Sequence, residues 1–272
     1  MNSPIKYYGG KTYMTDTIIS MFPSSYNRYI EGFGGGASVL LNKPMTPQEV
    51  YNDLEQNIYS LFKVISNKDT LERLKERLYL TPYSSQLREE YKEILTHNDL
   101  SIEDRAYYFF YVSRTSFNGI GGFSYDMSEV RRGMTRCISA YLGSIDSLDI
   151  IYQRLCNAII FNLDIFELID KFDFEDTFFY LDPPYVQSTR KSSTKYKEEF
   201  EDDLHIKLVD RLLKIKGKCL ISGYDSPIYD KLIENGWHKY TFKAPNVEYE
   251  ATEVLWYNYE PNTIKQESLW EE

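Results

Sequence analysis

The sequence predicts an α/β protein, a Rossmann-like and mostly parallel sheet that carries a mostly helical inserted lobe. Three observations predict it. The chain opens with a strand, a glycine turn, a short helix and a second strand, "NRYIEGFGGGASVLLNKP" followed by "EVYNDL". Residues from about 67 to 156 are charged and helical in pattern. Strands then return, among them "TFFYLDPPY". The expected organisation is therefore one sheet domain made of 1–66 and 157–272, interrupted by a helical insert at 67–156.

Each element has its own local reason. Between Thr12 and Phe22 the apolar residues Met14, Ile18, Met21 and Phe22 recur at helical spacing, and Pro23 stops the helix. The glycines after "YIE" break the first strand, and "ASVLLN" restarts as a helix. "EVYNDL" ends at Asp53, and "NIYSLFKVI" is the next helix. In the insert, "LERLKERLYL", "SQLREEYKEILTH" and "IEDRAYYFFYVSRTSF" are helical patterns, ended by the glycine-rich "NGIGGFS". "NAIIFNLD", "TFFYLDPPY", "KCLISGY", "HKYTFKA" and "ATEVLWYNY" are the later strands, with a helix over "DDLHIKLVDRLLKIK".

Bulk composition narrows the function. A net charge of −10 argues against coating DNA by electrostatics alone and leaves room for a local basic groove. Cys137, Cys156 and Cys219 are odd in number and far apart, which argues against a disulfide framework. They lack metal-ligand spacing, as do His97, His205 and His238, so no metal site is expected. Without an apolar leader or a membrane-length run, the expected location is cytoplasmic.

Two stretches carry chemistry. In "FFYLDPPYVQS" a buried strand runs into Asp182, Pro183, Pro184 and Tyr185. A turn by itself explains the prolines but leaves the aromatic to chance. A chemistry that attacks with the exocyclic amine of a nucleobase uses all four. Asp182 and the carbonyl of Pro183, stiffened by the ring of Pro184, accept the two N–H bonds and free the nitrogen lone pair. Tyr185 offers a face on which an extruded base stacks. The second stretch, Gly32-x-Gly34-x-x-Ala37 with Asp53 about twenty residues on, fits a turn that meets an adenosine cofactor, the acid serving the ribose. It does not separate NAD from other adenosine cofactors. "PIKYYGGK" adds two glycines and the cation of Lys11.

These residues resemble the Dam-type DNA adenine-N6 methyltransferases, particularly their phage-borne forms. The likeness covers nearly the whole chain: "PIKYYGGK", "YIEGFGGGASVLLN", "YNDL", "FNLDIFELI", "LDPPY" and "TEVLWYNY" occur in the family's order. The resemblance implies S-adenosylmethionine as cofactor. Tyr7 and Lys11 would hold its methionine end, and Phe33, Gly34 and Gly36 would line the pocket. Asp53 would take the ribose, Asp164 and Ile165 the adenine, and Asp182 the meeting point of cofactor and target. No metal, covalent intermediate or histidine base is needed.

The partner implied is double-stranded DNA, with a cognate restriction endonuclease as a further candidate. "RTSFNGIGGFS" resembles the family's DNA-facing region, giving Arg114 and Asn118 as contacts, and Lys6 is implied to lie near DNA. Arg131, Arg132 and Arg136 in "EVRRGMTR", and Arg190, Lys191, Lys195 and Lys197 in "STRKSSTKYK", are the local basic groups an acidic protein needs. The family's usual continuation after "FNG" is replaced by "IGGFS", so no recognition sequence is carried over. Amino methylation of cytosine N4 or of RNA adenine is the near alternative. A nicotinamide oxidoreductase leaves "DPPY" unexplained, and the intact Lys11, Asp53 and Asp182 argue against a DNA-binding module without catalysis.

Overall fold

The computed structural model describes residues 1–6, 14–127, 129–186, 201–243 and 252–261. It is mixed α/β, with two compact units. One comprises 1–11, 35–42 and 53–162; the other comprises 12–34, 43–52 and 163–272.

The strands are β1 (Arg28–Glu31), β2 (Gln48–Asn52), β3 (Val130–Arg131), β4 (Met134–Thr135), β5 (Ala158–Phe161), β6 (Thr177–Leu181), β7 (Lys218–Tyr224), β8 (His238–Lys243) and β9 (Thr252–Tyr257). The second unit holds six of them in the order β2-β1-β6-β7-β9-β8. β1 pairs in parallel with β2 and with β6, and β6 in parallel with β7. β9 runs antiparallel between β7 and β8. β6 is buried along its whole length, which is why "TFFYL" reads as an unbroken apolar run rather than an alternation. Chain order reverses across β1: β2 lies on one side and β6 on the other. In open α/β sheets that reversal opens a crevice at the carboxyl ends of the strands. Here those ends are "GFGGG" after β1 and "DPPY" after β6.

Helices close on the sheet with ordinary patterning. Thr15–Ser20 stops before Pro23, Ile165–Phe172 buries Ile165, Leu168 and Ile169, and Asp202–Leu212 buries His205, Leu208, Val209 and Leu212. Trp256 on β9 is fully buried, its ring stacked on Tyr229 at 4.5 Å.

The first unit is mostly helical. Helix Lys68–Tyr79 starts where the Asn67 side chain accepts the amides of Asp69 and Thr70, and it buries a stripe of Leu71, Leu74 and Leu78. Helix Ile102–Thr115 starts at Ser101, whose hydroxyl accepts the Asp104 amide and donates to the Asp104 carboxylate. Its buried face of Ala106, Tyr107, Phe110 and Tyr111 packs against helices Gln56–Ile65 and Ser85–Ile94. Many of the tyrosines are structural here: Tyr91 lies 5.1 Å from Tyr111, and Tyr111 lies 5.8 Å from Tyr141. The basic stretch "EVRRGMTR" is a small hairpin of β3 and β4 rather than an open loop. Arg132 and Gly133 both take positive φ at its turn, as a two-residue hairpin connection requires.

Candidate active site

The carboxyl edge of the second unit's sheet gathers the sequence-predicted residues of β1 and β6. Glu31 pairs with Tyr180, and the Gly32 amide donates to the Tyr180 carbonyl at 3.1 Å. The glycine turn and the "DPPY" segment therefore leave the sheet side by side. At Gly32 a Cβ would lie 2.6 Å from the Leu181 side chain and 2.7 Å from that of Ile165, so both side-chain ends would have to shift. At Gly34 it would lie 2.1 Å from the buried Tyr51 ring. The glycines thus let the turn lie flat on its own sheet, and Phe33 stays partly exposed between them.

Asn52, at the end of β2, fixes this edge. It is 1% exposed, and its amide nitrogen donates to the Gly32 and Leu163 carbonyls, each at 3.0 Å. Its Oδ1 accepts the Leu163 amide at 2.8 Å, and its backbone carbonyl accepts Gly34 N–H. One side chain thereby holds the glycine turn and the segment entering Asp164. Asp164 is exposed and caps helix Ile165–Phe172 by accepting the Phe166 amide, with Ile165 buried behind it. The signal for Asn52 was its position between the strand and Asp53 in "YNDL".

Asp182 is partly buried. Ser222 on β7, itself fully buried, donates to its Oδ1 at 2.8 Å and so sets the carboxylate's rotation. Pro183 is buried and Pro184 partly exposed. The Tyr185 hydroxyl donates to Glu253 Oε2 at 2.7 Å, and its ring meets Tyr224 edge-on at a centroid distance of 4.3 Å. Tyr224 and Glu253 are register partners across β7 and β9. Burial, then Asp182, then Glu253 hold the Tyr185 phenol well above the ordinary tyrosine range, so it is a neutral donor. Tyr180 is raised in the same way, by burial and then Asp182. Ser222 and Glu253 were absent from the sequence-based set. A polar residue within the apolar strand "CLISGY", and a carboxylate at the start of the apolar run in "TEVLWY", were their only signals.

In the first unit, the Asp53 carboxylate accepts Gly35 N–H and Glu55 N–H, both at 2.8 Å. It braces the glycine turn, whose Gly35 and Ala37 take positive φ. Gly36 is buried within the same turn.

The predicted DNA contacts of this unit differ in kind. Arg114 turns its guanidinium onto the Pro4 carbonyl at 2.7 Å and the Ser3 carbonyl at 2.6 Å, and burial lowers its pKa to about 10. Lys6 Nζ donates to the Ser116 carbonyl, and its backbone exchanges two bonds with the Ser113 hydroxyl. Burial, then Arg114, pushes the Lys6 amine below its usual range. Asn118 is exposed, at φ 50°, on a tight turn between Phe117 and Gly119. Arg88, only 3% exposed, supports that turn through Ser116 Oγ and the Gly121 carbonyl. Arg131, Arg132 and Arg136 are exposed and line, with Ser139 and Ala140, an open hollow of about 560 Å³. Arg132 lies 3.7 Å from Asp146, and Arg136 lies 3.0 Å from Glu129. Tyr7, Lys11, Arg190, Lys191, Lys195 and Lys197 fall outside the described residues. Among the described residues no group of acidic, histidine or cysteine side chains could hold a metal, and no helix is long and apolar enough to cross a membrane.

A mostly parallel sheet whose switch-point edge presents a glycine turn beside a carboxylate, two prolines and a tyrosine fits an α/β group-transfer enzyme. The family model described as D12 class N6 adenine-specific DNA methyltransferase matches residues 7–252, and the chain belongs to that family. It is similar to the Type II methyltransferase M.MjaIII of Methanocaldococcus jannaschii, 27% identical over 255 residues, 85% of this chain and 87% of that protein. The Type II methyltransferase M.CviBI of Paramecium bursaria Chlorella virus NC1A is 24% identical over 263 residues, 89% and 92% of the two chains. The modification methylase LlaI of Lactococcus lactis subsp. lactis is 22% identical over 97% of this chain and 44% of its own length. The reaction is therefore transfer of a methyl group to the N6 amine of adenine in DNA, as the resemblance of the ordered motifs implied.

Proposed function

We propose that the methyl donor is S-adenosylmethionine and that the methyl passes directly to an adenine turned out of the duplex, at Asp182, Pro183, Pro184 and Tyr185. The observation that carries the reading is Asp182: a carboxylate at the switch-point edge, its rotation set by buried Ser222, beside a tyrosine held by Glu253. When bound, the donor supplies an electrophilic methyl on a sulfonium. The chain's own part is to bind and orient. Asp182 and the Pro183 carbonyl accept the two N6–H bonds, drawing the nitrogen toward tetrahedral geometry so that its lone pair becomes nucleophilic. The Tyr185 ring stacks on the extruded base, and the surplus N6 proton leaves to solvent.

The available groups suit an adenosine cofactor with an amino-acid tail. Asp53, at the glycine turn, would take the ribose hydroxyls, and Asp164 is an exposed acceptor for the adenine amine. Phe33, Gly34, Gly36 and Ile165 would line the pocket, with Tyr7 and Lys11 at the methionine end. Residues 67–156 would form the target-recognition lobe on a methyltransferase domain of 1–66 and 157–272. Asn118, Arg131 and Arg132 are its exposed candidates, with Arg190 and Lys191 after the catalytic segment. Lys6 and Arg114 would act by holding the recognition turn. A cytoplasmic location and a cognate restriction endonuclease fit this reading.

Expression in a methylation-free host, followed by modification-sensitive sequencing and nucleoside analysis, tests it. N6-methyladenine at one short DNA motif is expected, with S-adenosylmethionine as the donor in vitro. N4-methylcytosine, methylated RNA alone, or transfer only from another donor would overturn it.

A further inference from the structure

We infer that Glu253 is a positioning residue for methyl transfer, holding the Tyr185 ring at the angle on which the target base stacks. This rests on the stacking role proposed for Tyr185. Glu253 is 2% exposed, on a strand otherwise apolar toward the interior, and burying a carboxylate is costly unless it is used. It accepts the Tyr185 hydroxyl at 2.7 Å. Its register partner Tyr224 packs against the same ring in a T-shaped contact, 4.3 Å between centroids and 68° between planes. Tyr185 follows two prolines just beyond β6, outside any regular element, so backbone hydrogen bonding does not fix its side chain. The bond at the tip and the T-shaped ring contact fix its two side-chain torsions. The sheet thus reaches the loop through β9, a strand 68 residues further along the chain. Burial and the neighbouring carboxylates keep the phenol protonated, so the bond persists across the neutral range.

The test compares Tyr185→Phe, Glu253→Met, their double variant, Glu253→Gln and Tyr185→Ala. Each is assayed for kcat and for KM of S-adenosylmethionine, on DNA from a methylation-free strain, well below its melting temperature. Tyr185→Phe removes the bond without touching the buried carboxylate, so the inference stays testable if Glu253→Met folds poorly. The expected result is a loss in kcat of about tenfold in each single variant, with donor KM unchanged and the double variant no worse than the poorer single. Glu253→Gln, which keeps an acceptor, should lose less than Glu253→Met. Parent-like kcat in Tyr185→Phe and Glu253→Met, with Tyr185→Ala inactive, would overturn the positioning role and leave stacking intact. Losses that multiply in the double variant would overturn it too. Parent-like turnover by Tyr185→Ala would instead remove the stacking role on which this inference stands.

Discussion

At the scale of single residues, Asn52 and Asp182 stand at the ends of the two strands that flank β1. Asn52 is buried with three side-chain hydrogen bonds, all to the two segments bearing proposed cofactor residues. Asn52→Ala strands two carbonyls and an amide. It should cost about 1–3 kcal/mol of stability and weaken S-adenosylmethionine binding, read by denaturant titration and calorimetry. Unchanged binding in a folded variant would show that the glycine turn needs no such brace. Asp182→Ala should leave melting nearly unchanged and lower the rate of transfer by about a hundredfold or more, since it removes a preorganised acceptor. Near-normal turnover would remove the proposed mechanism.

At the scale of elements, the glycine turn and the turn bearing Asn118, proposed for recognition, are both shaped by close approach. Gly34→Ala pushes a methyl into the Tyr51 ring, 2.1 Å away, and such overpacking costs about 1–3 kcal/mol. A Cβ at Gly119 would meet the Lys6 carbonyl at 1.9 Å, on a residue already at φ 82°. The turn bearing Asn118 is thus seated on the segment Ser3–Lys6, which Arg114 grips from helix Ile102–Thr115. Two kinds of arginine follow. Arg131→Ala on the hairpin should weaken binding to all DNA sequences and reduce the salt slope by roughly one unit per lost phosphate contact. Arg114→Ala should lower the melting temperature and leave that slope alone. Equal salt slopes for parent and Arg131→Ala would take the hairpin out of the interface.

At the scale of the whole molecule, the abundance of tyrosine governs alkaline behaviour. Burial is the first cause that raises Tyr29, Tyr180, Tyr185 and Tyr229 above the ordinary phenol range. A raised folded pKa stabilises fully below the unfolded value, near pH 10, and that contribution fades as pH climbs toward the folded value. Stability against denaturant should therefore fall as pH rises above about 10. Ultraviolet titration with circular dichroism would show it. Ionisation of all 25 tyrosines with the helical signal intact would contradict the buried assignments.

Local sequence was enough for most of the elements and for the strand end proposed as the catalytic edge. The apolar run of β6, the glycines that break β1 and the stripe Leu71, Leu74 and Leu78 each encode their own conformation, because periodicity and φ restrictions act over a few residues. Asp182 and Tyr185 were legible for the same reason, as adjacent residues at one strand end. The groups that orient them were not. Ser222 and Glu253 lie 40 and 68 residues away along the chain and reach the site only through the registers of β7 and β9. Sequence also could not say which way Arg114 points. A guanidinium in a helix's last turn reads as a surface charge until the Ser3 and Pro4 carbonyls are seen against it. Residue type and spacing determined the chemistry. Strand register and side-chain direction, which depend on long-range packing, decided what holds that chemistry in place.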